Sequence, residues 1–219
     1  MFKMRYLYTK QRNTYVLQVY KTHLSSEATE SYTPTLSWHG IMLAWDIETT
    51  GLNKHKDLVT VISFYDPEAN IDCVLRFVDL NFDCELVYAD DYLEKVAQMV
   101  DLLDNAKYLC AFNNQGFDSP FIQIQFKLDN AKVQSWVEKT FDILEITRRG
   151  FGRTFNLNSC LALNGFDAGK TGDGMAAVKQ AHAGEWEALE SYCRQDSKLT
   201  YEVSRLKTIY CCEGYAWRK

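Results

Sequence analysis

Three short acidic clusters, far apart along the chain, constrain it most: Asp46-Ile47-Glu48-Thr49, Asn114-Gln115-Gly116-Phe117-Asp118 and Tyr192-Cys193-Arg194-Gln195-Asp196. Together they offer four carboxylates and one phenol. A lone Asp-x-Glu is weak evidence, because acidic pairs at strand ends usually just face water; the joint pattern is strong. A fold that gathers the clusters packs four negative charges into one place, and two divalent cations would cancel them. Hard ions such as Mg²⁺ or Mn²⁺ prefer carboxylate oxygens to thiol or imidazole. Two such ions, about 3.5 to 4 Å apart, supply a hydroxide at neutral pH and a clamp on a leaving oxygen, which in-line phosphodiester cleavage requires.

The patterning around the clusters predicts an α/β protein. Ile41 to Trp45 is a continuous apolar run ending in Asp46, suited to a central strand buried on both faces. Asp46 and Glu48, two apart, then share a face. Val59–Tyr65 and Cys73–Val78 read as the next two strands of an antiparallel meander, separated by the Lys54-His55-Lys56-Asp57 turn and the Asp66-Pro67 break. Asp90-Asp91 can cap a helix with Tyr92, Val96, Met99, Val100 and Leu103 on its apolar face, and Tyr108–Phe112 reads as a buried strand. Ser119-Pro120 marks a helix start, with Phe117, Phe121, Ile124 and Leu128 on one face, although Ile122, Ile124, Phe126 and Leu128 also alternate as in a strand. Phe141–Ile146 is a fifth strand, 148–153 a loop, Leu157–Leu163 a short helix and 165–174 a loop. A long helix is expected over about Glu185–Tyr210, with Tyr192 and Asp196 side by side, one turn apart. The sum is a mixed five-stranded sheet with helices on its faces.

Composition narrows the class. The 219 residues are 47% hydrophobic, enough to fill one sizeable core. No apolar run approaches the roughly 20 residues needed to span a bilayer, and the first residues lack a signal peptide's apolar stretch, so a soluble intracellular protein, cytoplasmic or nuclear, is expected. Seven cysteines without a Cys-x-x-Cys pair indicate neither a disulfide framework nor a zinc ribbon, and the four histidines lack ligand spacing. The net charge of −5 is unevenly divided: Lys3, Arg5, Lys10, Arg12 and Lys21 give residues 1–24 a charge of +5 with no acid, leaving −10 elsewhere. The acid-rich stretch from Asp79 to Asp104 reads as a solvated face turned away from substrate.

Residues 1–40 form a basic, aromatic extension and linker, ahead of a catalytic domain over 41–219. Arg5–Tyr8 and Tyr15–Tyr20 alternate like two strands of a hairpin. Its basic residues, interleaved with tyrosines, could track phosphates and stack on bases; equally, the hairpin could extend the sheet with its lysines in water. Arg148, Arg149 and Arg153, interleaved with Phe151 and Phe155, make a second candidate strand-binding element.

Asp46-Ile47-Glu48-Thr49-Thr50-Gly51-Leu52, Ala111-Phe112-Asn113-Asn114-Gln115-Gly116-Phe117-Asp118 and Tyr192-x-x-x-Asp196 resemble the DEDD exonuclease superfamily of ribonuclease H-like fold. They are most similar to the branch with tyrosine in its third motif, which includes the proofreading domains of family B DNA polymerases and their stand-alone relatives. The resemblance covers about residues 40–210. It implies a two-metal 3′-to-5′ exonuclease acting on single-stranded nucleic acid with a free 3′ end. Asp46, Glu48 and Asp196 would hold the metal that activates water, Asp46 would bridge to a second metal supported by Asp118, and Tyr192 would orient the water. Glu48 would touch the terminal 3′-hydroxyl, Thr49 to Leu52 would meet the last nucleotide with Leu52 as a wedge, and Asn113 or Asn114, beside Phe117, would brace the strand. DNA is the expected substrate, with any polymerase or other replication or repair partner acting in trans. An exoribonuclease and a non-catalytic binding module on the same fold are the alternatives.

Overall fold

The computed structural model describes residues 2–11, 14–23, 42–166 and 174–212. The proposed linker over 25–31 and most of the loop over 165–174 lie outside these residues.

The central sheet is built on the strand that opens the first acidic cluster. β3 (Met42–Thr49) pairs antiparallel with β4 (Val59–Asp66), which pairs antiparallel with β5 (Ile71–Arg76). On its other edge β3 runs parallel to β8 (Tyr108–Ala111), and β8 runs parallel to β9 (Thr140–Asp142). The result is the expected mixed five-stranded sheet, in the order β5-β4-β3-β8-β9. A short hairpin, β6 (Val78–Leu80) and β7 (Leu86–Tyr88), follows β5.

The two-residue period of β3 sorts its side chains into two cores. Leu43, Trp45 and Ile47 pack towards α1 (Tyr92–Asn105), α2 (Asp118–Gln125) and α3 (Asn130–Glu138), where Met99, Leu103, Phe121, Ile122, Val133 and Trp136 complete one cluster. Met42 and Ala44 face the opposite way, into a second cluster with Cys160 and Leu161 of α5 (Leu157–Leu163) and Tyr201 and Val203 of α7 (Trp186–Ser204). Asp46 and Glu48 continue that second row. A third, smaller cluster joins Val61 of β4 to Ala177 and Ala181 of α6 (Gly174–Ala183) and to Leu189 and Cys193 of α7. Among the described residues, no helix is long and apolar enough to cross a membrane.

Several sequence expectations change in detail. The segment after Ser119-Pro120 is helical, but Ile124 is exposed and Ile122 takes its buried place, because α2 presents Phe121 and Ile122 to the sheet. The fifth strand stops at Asp142, whose carboxylate accepts a hydrogen bond from the Glu145 backbone N–H and so starts α4 (Ile143–Phe151) where more strand and then a loop were expected. α4 ends at Gly152, whose φ of 67° suits the left-handed turn there. The last helix ends at Ser204, not Tyr210, and residues 208–212 form β10 (Thr208–Cys212).

That terminal strand explains the N-terminal extension. β1 (Phe2–Gln11) and β2 (Thr14–His23) form an antiparallel hairpin, and β10 adds to the free edge of β2. Leu17 of β2 is fully buried in the second core, opposite Tyr8 and Ile209. The Tyr8 ring meets Phe151 edge-on at 5.2 Å and lies against Gly150 of α4, where any Cβ would overlap it. Phosphate tracking and extension of the five-stranded sheet were both open for this hairpin; its backbone instead builds a separate three-stranded sheet, in the order β1-β2-β10. Leu17→Ala is therefore expected to destabilise the whole protein by about 2–5 kcal/mol, as for a buried leucine elsewhere, measured by denaturant unfolding. A change below about 0.5 kcal/mol would show that the hairpin is detached from the fold.

Candidate active site

The first cluster reaches its position by the alternation of β3, which leaves Asp46 half-buried and Glu48 buried on the face covered by α7. The ladder slips one residue between Glu48 and Thr49, and the Thr60 hydroxyl fills the slip by donating to the Glu48 carbonyl at 2.9 Å. Such a bulge bends the strand and re-aims the chain beyond it. The following loop is stitched together by Thr50 and Leu58: the Thr50 N–H donates to the Leu58 carbonyl at 2.9 Å, and the Leu58 N–H to the Thr50 hydroxyl at 2.8 Å. Thr49 is buried, whereas Leu52 is 76% exposed at the tip.

α7 brings the third cluster across this face. Cys193, Ser197, Thr200 and Ser204 form a stripe of small buried residues at helical spacing, which lets the helix lie close on β3 and β4. The Ser63 hydroxyl of β4 donates to the Cys193 carbonyl at 2.8 Å. On the outer side, Arg194 and Lys198 both hold Asp72 of β5, at 3.1 and 2.7 Å. This seating sets Asp196, itself buried, and Tyr192 beside the acids of β3. Burial, followed by the charges of Asp196, Glu48 and Asp46, drives the Tyr192 phenol far above its ordinary pKa, so it stays protonated.

The second cluster arrives from the other side of β3. Asp118 is the first residue of α2, and its carboxylate accepts hydrogen bonds from its own N–H and from that of Ile47, the residue between the first two acids. Burial outweighs these bonds and, aided by the charge of Asp142, pushes its pKa up to about 7. The five residues expected to form one site are thus brought to one end of β3.

Three contributors were not foreseen. Asp142 accepts from the backbone N–H groups of Asn113 at 2.9 Å, Gln115 at 3.1 Å and Glu145 at 3.1 Å, and so ties the second cluster to the end of β9. Asn113 sits at φ 69°, the left-handed turn that this tether closes. The Cys193 sulfur, read from sequence only as a reduced core thiol, lies 3.4 Å from the Asp46 carbonyl and 3.3 Å from the Ser63 hydroxyl. Asp46, Glu48 and Cys193 each place one ligand-type atom within 4.8 Å of the others. Burial, then the neighbouring carboxylates, holds this thiol well above its ordinary pKa. The third contributor, His182 of α6, is 3.2 Å through Nε2 from the Thr50 carbonyl.

The proposed strand-contacting residues divide by exposure. Asn113 is exposed; Asn114 is fully buried and accepts a 2.6 Å hydrogen bond from the Ser119 hydroxyl. Phe117 packs against Phe121 at 4.7 Å. Arg148 and Arg149 lie on α4 rather than in a loop, and both hold Glu145, Arg149 at 2.6 Å; Arg153 is exposed just beyond the helix.

Comparison with known proteins follows this geometry. A family model described as RNase_H superfamily matches residues 43–206, most of the chain. The chain belongs to the RNase H superfamily. Its fold is similar to that of the family B DNA polymerase of the hyperthermophilic archaeon Pyrobaculum calidifontis, at 16% identity and a TM-score of 0.57, covering 75% of this chain and 24% of the polymerase. A zinc-bound E. coli exonuclease I complex with single-stranded DNA matches at 18% identity and a TM-score of 0.42, covering 75% of this chain and 43% of that one. A search of curated proteins finds no match.

The raised pKa of Asp118 fixes the sign of a pH effect in this RNase H superfamily member. The stabilisation contributed by its protonated form is complete below the ordinary value of 3.8 and is lost as pH rises through about 7. Asp118→Asn, which cannot ionise, should melt higher than the parent above pH 7 in chelator, with the gap closing towards pH 4. Thermal unfolding across this range tests it; a gap independent of pH would mean that the carboxylate is solvated.

Proposed function

We propose that the protein is a metal-dependent 3′-to-5′ exonuclease that removes nucleoside monophosphates from the 3′ end of single-stranded DNA. The observation that carries this reading is the convergence of Asp46, Glu48, Asp118, Tyr192 and Asp196 at one end of β3. Four carboxylates form the donor set that Mg²⁺ or Mn²⁺ prefers. Burial, and after it the charges of Asp46, Glu48 and Asp196, raise the proton affinity of both Tyr192 and Cys193, as expected beside carboxylates that divalent cations would neutralise.

Asp46, Glu48 and Asp196 would hold one ion, and Asp46 with Asp118 a second. When bound, the pair supplies a hydroxide nucleophile and stabilises the leaving oxygen. Tyr192 keeps its proton and gives it in a hydrogen bond to Asp196, so its oxygen is left to orient water as an acceptor and the phenol does not act as a base. Leu52, exposed on the stitched loop that follows the first two acids, would wedge against the terminal base. Asn113 and Phe117 are the candidates to brace the strand from the second cluster. The fold shared with a DNA polymerase makes DNA the first substrate to test.

Incubation of 3′-labelled and 5′-labelled single-stranded DNA and RNA with Mg²⁺ or Mn²⁺ tests the reading. Mononucleotides released at once from the 3′ label, alongside a descending ladder from the 5′ label, are expected; internal cuts, or faster loss of RNA, would overturn the polarity or the substrate. Asp46→Ala should lower cleavage by more than about 10³-fold in a folded protein, because it removes the carboxylate expected to touch both ions. Tyr192→Phe should slow the single-turnover rate by about 10²-fold with little change in affinity, within the range for groups that position a proton. If affinity falls while the chemical step is unchanged, the hydroxyl belongs to binding.

A further inference from the structure

A cavity of about 310 Å³ opens beside the second acidic cluster, lined by Gln115, Gln134, Val137, Asp142, Glu145 and Arg149 among others. Its volume is at the lower end of the range for small-molecule sites. Gln115 belongs to the loop that delivers Asp118, and Asp142 is the carboxylate that tethers that loop. The cavity and the acid site therefore share one wall.

The lining selects the chemistry of an occupant. Asp142 spends its oxygens on three backbone N–H groups, and Glu145 is held by Arg148 and Arg149. With Glu138 also on the wall, the lining holds three acids against one arginine, so a phosphate inside is disfavoured. Two glutamine amides and the Thr140 hydroxyl offer both donors and acceptors, and Val137 and Ile146 offer apolar contact. That combination fits a flat, neutral heterocycle with a mixed hydrogen-bonding edge. Because a Gln amide can match either polarity of edge, it binds any base without choosing one. Arg149, 67% exposed at the side chain and in reach of Gln115 at 3.4 Å, stands where a flanking phosphate could exchange with Glu145.

We infer that this cavity is an accessory subsite for one nucleobase of the substrate strand, upstream of the 3′-terminal nucleotide, with Arg149 meeting the adjoining phosphate. The inference rests on the exonuclease reading. The subsite anchors the strand after each cut and makes affinity depend on strand length.

The test compares the parent chain with Val137→Trp, which fills the cavity from a half-buried position, and with Gln134→Glu, an exposed change that adds a further negative charge to the wall. For the parent, KM on single-stranded DNA from a dinucleotide to a dodecamer should fall about tenfold at the length that reaches the cavity, the factor that one or two net hydrogen bonds command, with kcat constant. Both variants should keep kcat and dinucleotide cleavage while losing that fall in KM. One abasic nucleotide at the matching position should reproduce the loss in the parent. Equilibrium binding of a fluorescent dodecamer in chelator should weaken by the same factor, a readout independent of cleavage. Unchanged KM and binding in both variants at every length, or no position sensitive to an abasic nucleotide, would overturn the subsite. Absence of cleavage by the parent, with the binding differences intact, would overturn the exonuclease reading and leave the subsite standing.

Discussion

The two-residue alternation of β3 is the constraint on which the rest of the molecule depends. Its odd-numbered side chains, Leu43, Trp45 and Ile47, build the core beneath α1 to α3, while Met42 and Ala44 build the one beneath α5 and α7. Asp46 and Glu48 fall in the second row, so the same geometry that fills two cores also aims two carboxylates at α7. A slip of one residue would turn the acids into the apolar cluster under α1 and the indole of Trp45 towards the third motif. The bulge after Glu48 occurs only once both acids are placed, which frees the following loop to turn away and present Leu52.

Holding carboxylates in that row opposes folding. Burial raises the Asp118 pKa, and burial followed by the neighbouring acids raises the proton affinities of Tyr192 and Cys193. The surrounding structure offsets this by seating α7: the small-residue stripe along the helix, the double anchor of Arg194 and Lys198 on Asp72, and the Ser63 hydroxyl bonded to the backbone of α7. Each fixes the helix without adding charge to the site. A long aliphatic side chain at Ser197 or Thr200 would lift α7 and separate Asp196 from β3, so polar side chains are buried there because they are small.

The mixed five-stranded sheet with its antiparallel meander was legible, and so was the grouping of residues proposed for the site, because both follow from local pattern. An apolar run ending in Asp-x-Glu reads as a buried strand, and Tyr-x-x-x-Asp reads as one face of a helix. What was not legible depends on partners distant in sequence. Residues 208–212 continue an apolar stretch that looks helical, and become a strand because β2 offers them an open edge nearly two hundred residues away along the chain. Residues 143–146 lose their expected strand character, and 148–151 their expected loop, to the helix that the Asp142 cap starts. Asp142 is silent in sequence because its role lies in accepting three backbone N–H groups, and no residue pattern announces those donors.

These remote partners join the N-terminal extension to the acidic site in one continuous series of contacts. Tyr8 lies against Gly150, where only a residue without Cβ admits it, and so fixes the α4 turn that carries Arg148 and Arg149. Arg149 reaches Gln115, Gln115 is tethered through its N–H to Asp142, and Asp142 acts electrostatically on Asp118. The charge of +5 in residues 1–24 suggested an arm that touches substrate, whereas the described backbone gives the hairpin a second role, as the support behind the helix that flanks the second motif. Core packing around Leu17 and the placement of the Asp118 carboxylate are therefore two ends of the same mechanical path, and loosening the hairpin should disturb the second acidic cluster through Asp142 before it disturbs β3.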